Sequence, residues 1–296
     1  MGTTNHSIST KDGRTLAVNE AGKPDGFPVL ELHGTPGSGL LYQPHIEDAN
    51  SQGIRLIGLD RPGYGGSTPL SGRSVASIAE DIATIAAQLN IDQLAVWGKS
   101  GGGPHALACA ALLPELVVAA ASIASPAPYT TEGLDWFAGM GQDNLDEFGA
   151  ALDSRAKLEE YIEAETPTML NADPKVLVEA LSSILCPPDV AVFTEKFADF
   201  LLSKIRVGIS DQRNGWVDDD LAFISPWGFD LGKIDIPVMI MQGEQDQMVP
   251  LSHAEWLISH IPTAEAMLLP DDGHLTLSAN RIPEVHAWLM EKMAAL

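Results

Sequence analysis

A serine hydroxyl becomes useful as a nucleophile when the chain lifts it clear of its own backbone and a base stands ready to take its proton. Residues 98–102 read Gly-Lys-Ser-Gly-Gly, a G-x-S-x-G pattern centred on Ser100. Before it, Leu94-Ala95-Val96-Trp97 is a short apolar run, the signature of a strand buried on both faces. From about Pro104 the sequence turns helical, with no turn signal before Pro114. Strand, tight turn, helix is the context in which this pattern carries chemistry. The turn forces Ser100 into a strained conformation and pushes its hydroxyl past the sheet edge, at a helix start where negative charge is favoured.

Two later segments supply the partners. Ile236 to Met241 reads as a strand followed by a loop containing Asp246, and Glu265 to Leu269 as a strand followed by Pro270-Asp271-Asp272-Gly273-His274. Imidazole titrates near neutrality, so His274 is the candidate base, and Asp246 would fix its tautomer and steady the imidazolium. Asp271 and Asp272 lie too close to His274 along the backbone to converge on it and read as a polar turn. The tetrahedral oxyanion needs two donors. One is the N–H of Gly101, directly after the nucleophile; the other comes from the glycine-rich loop that begins at His33. Lys99 reads as a solvated or ion-paired side chain or, more sharply, as a cation near the nucleophile that favours an acidic acyl group. Among the other histidines, His33 reads as structural, His105 as a satisfied core residue, and His253 and His260 as surface residues.

The elements that must position these groups alternate. A hairpin around Asp12-Gly13 precedes a third strand over Val29 to Leu32, and Arg55 to Leu59 is a fourth. Val75, Ile78, Ile82, Ile85 and Leu89 recur at helical spacing, leading into the strand before Ser100, and Val117 to Ile123 is the next strand. Such alternation calls for an α/β fold, a mostly parallel central sheet with helices on both faces. Between Tyr129 and Ile224 only helices are predicted, one over Lys175 to Leu185 and a longer one opened by Pro188 and carrying Val192, Phe193, Phe197, Phe200, Leu201 and Ile205. Residues 1–128 and 225–296 are therefore expected to form the core, and 129–224 an inserted helical cap over the strand ends. The aromatic and sulfur side chains Trp136, Phe137, Met140 and Phe148 read either as that cap's own core or as an apolar wall for substrate.

Composition narrows the setting. A net charge of −23 over 296 residues argues against nucleic acid or an anionic membrane as partner. No apolar run approaches 18 residues and the N-terminus has no signal-like apolar stretch, so a cytoplasmic protein acting on a small molecule is the expectation. The two cysteines, Cys109 and Cys186, are too separated in pattern to suggest a disulfide, and no spacing suggests a metal site or cofactor. The pattern is equally compatible with a monomer and with a homo-oligomer.

Five motifs in order, the His33-Gly34 loop, the Asp60 to Ser67 loop, the Ser100 turn, the Asp246 loop and His274, make the whole chain resemble the α/β-hydrolase superfamily. Within it the chain is similar to the capped branch of haloperoxidase-like esterases and proline iminopeptidase-like proteins. The resemblance implies an α/β-hydrolase fold, a Ser100-His274-Asp246 triad and, from His-Gly-x-Pro, the N–H of Thr35 as second oxyanion donor. It implies a cofactor-free hydrolase of a carboxylic ester or lactone acting through an acyl-enzyme. The same triad serves aminopeptidases, amidases and C–C bond hydrolases, and the same scaffold serves ligand-binding receptors that do not turn over. The serine nucleophile departs from the aspartate of haloalkane dehalogenases and epoxide hydrolases, and the Ser100 turn lacks the tryptophan of proline iminopeptidases.

Overall fold

The computed structural model describes residues 2–129, 131–193 and 195–295. Eight strands form one sheet in the order β1-β2-β4-β3-β5-β6-β7-β8. They span Thr4–Ser9 (β1), Thr15–Gly22 (β2), Phe27–Leu32 (β3), Ile54–Leu59 (β4), Leu94–Lys99 (β5), Val117–Ile123 (β6), Val238–Gly243 (β7) and Ala264–Leu269 (β8). The β1 and β2 pairings are antiparallel and the remaining six strands run parallel, which is the mostly parallel sheet the alternation calls for. Strand alternation sorts the core onto two faces. Leu94 and Val96 of β5 face a cluster closed by α2 (Ile78–Gln88), α3 (Gly102–Leu112) and α10 (Leu251–His260). Ala95 and Trp97 face the other, closed by α1 (Gln43–Ser51) and α12 (Ile282–Ala294).

Among the described residues six α-helices intervene between β6 and β7: α4 (Gln142–Asp153), α5 (Arg155–Asn171), α6 (Pro174–Ala180), α7 (Pro187–Val192), α8 (Glu195–Ile209) and α9 (Asn214–Phe223). Here the structure corrects two boundaries. The helix expected over Lys175 to Leu185 ends at Ala180, and the long helix opened by Pro188 is two helices, α7 and α8. Phe193, expected inside that long helix, instead ends α7, and its N–H donates to the Val190 carbonyl over a short, non-α turn. Apolar spacing alone carries across such a break, because Val192, Phe193 and Phe197 still pack into one cluster. Another short helix, α11 (His274–Asn280), follows β8.

Register fixes what sits at the functional edge. Leu32, the last residue of β3, pairs with Gly98 of β5, and Lys99 pairs with Ile123 of β6. The loops after β3, β5, β7 and β8 therefore emerge along one edge, the strands' C-terminal ends, where open α/β sheets place their ligands. Among the described residues no helix is long and apolar enough to cross a membrane.

Candidate active site

Ser100 has φ of 55°, a left-handed conformation that non-glycine residues adopt at a cost on the order of 1–3 kcal/mol. The surroundings impose it. Its N–H donates to the Ile123 carbonyl at 2.8 Å, and its own carbonyl accepts from Gly103 N–H at 2.9 Å. The flanking glycines are required by contact: a Cβ on Gly98 would strike the Gly102 carbonyl, and one on Gly102 the Leu32 carbonyl. The motif is thus the packing condition of a turn that exposes one hydroxyl.

His274, the first residue of α11, places Nδ1 at 2.7 Å from Asp246 Oδ2, and both side chains are buried. Asp246 is itself fixed. Its Oδ1 accepts from the N–H groups of Met248 and Val249, each at 2.8 Å, and its Oδ2 from Gln242 Nε2 at 3.0 Å. A carboxylate can only accept, so Nδ1 carries the ring proton and Nε2 is left as the basic nitrogen. Ser100 and His274 line one cavity of about 310 Å³. Among the described residues no hydrogen bond joins Ser100 Oγ to His274; such bonds commonly tighten only with substrate in place. The competing acids stay away from the imidazole: Asp271 is exposed, and Asp272 is buried against Arg281, whose Nη2 donates at 2.9 Å.

The two expected oxyanion donors are neighbours. A Cβ on Gly101 would collide with Thr35 Oγ1, and one on Gly34 would touch Ser100 Cβ at 3.4 Å. Behind this loop lies a fully buried ion cluster. Asp219 of α9 accepts from Thr35 Oγ1 (2.8 Å), Tyr64 Oη (2.8 Å), Arg61 Nη2 (2.6 Å) and Arg73 Nη1 (2.5 Å). Burial by itself would raise the Asp219 pKa, but Arg61 and Arg73 outweigh it and hold the carboxyl well below the usual range. Arg61 also donates to the His33 and Gly34 carbonyls. His33 is structural, as expected: its Nδ1 bonds the Gly34 carbonyl at 2.7 Å, and its Nε2 accepts from Arg61 N–H.

Other expectations divide. Lys99 lines the cavity and, among the described residues, has no ion pair; burial lowers its pKa to about 8 against the pull of Asp189 and Asp246. Trp136, Met140 and Phe148 line the cavity as well, whereas Phe137 does not and packs edge-on against Tyr129 and Trp136. His105 is buried; among the described residues only its Nδ1 is hydrogen-bonded, to the Gly101 carbonyl, while Nε2 faces Asp219 Oδ1 at 3.6 Å, so it is a core residue but not a fully satisfied one. His253 corrects the surface reading. It is fully buried, bonded to Ala127 N–H at 3.1 Å and to the Trp136 carbonyl at 2.9 Å, because α10 turns that position inward. His260 is exposed. Cys109 and Cys186 are both free and buried.

The family described as "alpha/beta hydrolase fold" matches residues 28–279. The chain belongs to the α/β-hydrolase superfamily. An uncharacterized hydrolase of Bacillus subtilis (strain 168) is 30% identical over 271 residues, 90% of each chain. A proline iminopeptidase of Neisseria meningitidis is 27% identical over 273 residues, covering 86% of this chain and 85% of that one. Among solved structures, a thermophilic esterase from Thermogutta terrifontis superposes with a TM-score of 0.71 at 20% identity, over 98% of this chain and 99% of that one.

The hydrolase also contains site residues that sequence reasoning passed over. Asp189, Asp219, Glu147 and Asp220 all come from the inserted helices and are part of the cavity wall or of the groups behind it. Their sequence signal is slight: a run of three acids, Asp218-Asp219-Asp220, between Trp216 and Leu221, and Asp189 directly after two prolines. Asp220 and Glu147 lie side by side, and burial, first, together with their mutual repulsion raises the pKa of Asp220. Burial raises that of Glu147 too.

Proposed function

We propose that this hydrolase cleaves a carboxylic ester or lactone through an acyl-enzyme on Ser100. The observation that carries the reading is a left-handed Ser100 sharing one cavity with a His274 whose Nδ1 is bonded to a well-anchored Asp246. His274 Nε2 takes the hydroxyl proton as Ser100 Oγ adds to the acyl carbon, and the carbonyl oxygen becomes an oxyanion held by the Gly101 and Thr35 N–H groups. Collapse breaks the bond to the alkoxy oxygen, which leaves with the proton from His274. Water then adds to the acyl-enzyme, giving its proton to His274; collapse returns that proton to Ser100 Oγ and releases the carboxylic acid. Residues 129–224 act as a cap whose Trp136, Met140 and Phe148 select the acyl or alcohol group. A fluorophosphonate probe and short p-nitrophenyl esters test this. Wild-type protein should label and turn over; folded Ser100→Ala should not label, with kcat lower by roughly 10⁴-fold. Substantial turnover by folded Ser100→Ala protein, or a wild type that binds esters without cleaving them, overturns the proposal.

A second reading has its own support. Asp143, Glu147, Glu165 and Asp220 line the same cavity, and both Asp220 carboxyl oxygens are buried with no donor among the described residues. A buried carboxyl pair kept from ionising by burial and mutual repulsion gains the missing counter-charge from a cation, which suits a substrate carrying an ammonium group, such as an aminoacyl ester or amide. Adding aminoacyl p-nitroanilides to the panel separates the two readings, since preference for them over neutral esters would favour the second.

A further inference from the structure

Asp189 lies on α7, 85 residues before His274 in sequence, and is fully buried. Its carboxylate binds the main chain from which the imidazole projects. Oδ2 accepts from His274 N–H at 3.0 Å, and Oδ1 accepts from Leu275 N–H at 2.6 Å and Thr276 N–H at 3.1 Å. Cys186 Sγ donates to Oδ2 at 3.2 Å. The first N–H groups of a helix have no partner within it, so α11 begins on a carboxylate supplied by a distant element. The approach is close enough to dictate its neighbour. A Cβ on Gly273 would lie 2.5 and 2.6 Å from the two Asp189 oxygens, so only glycine leaves room for them. Gly273 N–H is taken separately, by Thr276 Oγ1 at 2.8 Å.

We propose that Asp189 is a positioning residue for the general base: it fixes the backbone of His274, while Asp246 holds the ring at Nδ1. This rests on the Ser100-His274-Asp246 reading above. The imidazole is held at two points, Nδ1 by Asp246 and the main-chain N–H by Asp189. Freeing the second lets the ring swing about the first, and Nε2 moves relative to Ser100. A residue that merely ties the inserted helices down has a different signature, because those helices line the cavity and their displacement raises KM. Loss of base position lowers kcat and leaves KM alone.

The test uses the full-length protein, p-nitrophenyl butyrate, a fluorophosphonate probe and thermal melts. In Asp189→Asn the amide oxygen can keep Leu275 and Thr276, but the NH₂ group then confronts His274 N–H. Its kcat should fall about tenfold, and that of Asp189→Ala about a hundredfold, each with KM within about threefold of wild type. Labelling rates should fall in parallel with kcat. Leu177→Ala, which opens the packing of α6 against Ala172 and Leu202, serves as a control: it should melt earlier without that loss of kcat. The proposal is overturned if folded Asp189→Asn keeps kcat within about twofold, or if the loss is in KM alone. Should Asp189→Ala not fold, the nearly isosteric asparagine variant decides. Failure of the triad itself reads differently, as an unlabelled wild type or an active Ser100→Ala protein.

Discussion

Replacing Asp219 by asparagine removes the negative charge to which both Arg61 and Arg73 donate, while keeping the side chain's size. Asp219 is fully buried, and its guanidinium partners are nearly so. Breaking a buried pair by removing one partner costs about 3–5 kcal/mol, since the remaining charge is stranded away from water. An unfolding entropy of roughly 2.1 cal/mol/K per residue gives about 0.6 kcal/mol/K for a chain of this length, so Tm should fall by about 5–8 °C at pH 7. Acid should shrink that difference. The carboxyl is held well below its ordinary value, so its stabilisation is complete above the unfolded value near 3.9 and is lost as pH falls from there toward the folded value. The asparagine variant has no such term to lose. Activity should suffer as well, because Asp219 accepts from Thr35 Oγ1 beside the N–H proposed as oxyanion donor, and a small displacement there costs up to about 10²-fold in kcat. Calorimetry of both proteins from pH 7 to pH 3, with kcat on one ester, is the assay. A Tm within about 2 °C of wild type at pH 7, or a difference that does not narrow in acid, refutes the reasoning.

Two further outcomes follow from the same geometry. Asp246→Asn should fold and lose roughly 10³- to 10⁴-fold in kcat by favouring the wrong imidazole tautomer, whereas Asp271→Asn and Asp272→Asn should each lose less than about tenfold; kcat for the three variants on one ester, at one pH, decides. Lys99 is shifted by burial to about 8, so kcat/KM for an ester with a carboxylate-bearing acyl chain should fall as pH rises through that value relative to a neutral ester of equal length, and Lys99→Met should erase the difference.

Much of this arrangement was legible in the chain because each signal was local. The Ser100 turn announces itself through Gly98 and Gly102, whose close contacts are with backbone within a few residues or on the adjoining strand. Asp246 and His274 were readable because each lies in or at the end of the short loop after a strand and so emerges at the same sheet edge. Boundaries within the inserted helices were not, since apolar periodicity runs on through the α7–α8 junction while the backbone does not. Asp189 and Asp219 were invisible for a deeper reason. An aspartate whose partners are distant in sequence reads as surface, whether alone like Asp189 or in a run of acids like Asp219, and only the fold brings Arg61, Arg73 or the start of α11 to it across 85 to 158 residues of chain. His253 failed in the same way: nothing near it in sequence reveals Ala127 and Trp136 as its partners.

The two aspartates also limit how this hydrolase can acquire new substrates. Asp219 reaches from α9 to the Thr35 loop, and Asp189 reaches from α7 to the backbone of His274, so the inserted helices are moored on both sides of Ser100. Transplanting an insertion that lacks both acids, chosen only for its wall residues, would leave Arg61 and Arg73 without their counter-charge and the start of α11 without its acceptor. Specificity here is more readily changed one side chain at a time on α4 and α5, which contribute Phe148 and Tyr161 to the cavity without holding either mooring. In a recombination library, chimeras that keep both acids should remain folded, and the junctions that separate either acid from its anchor should be the ones lost.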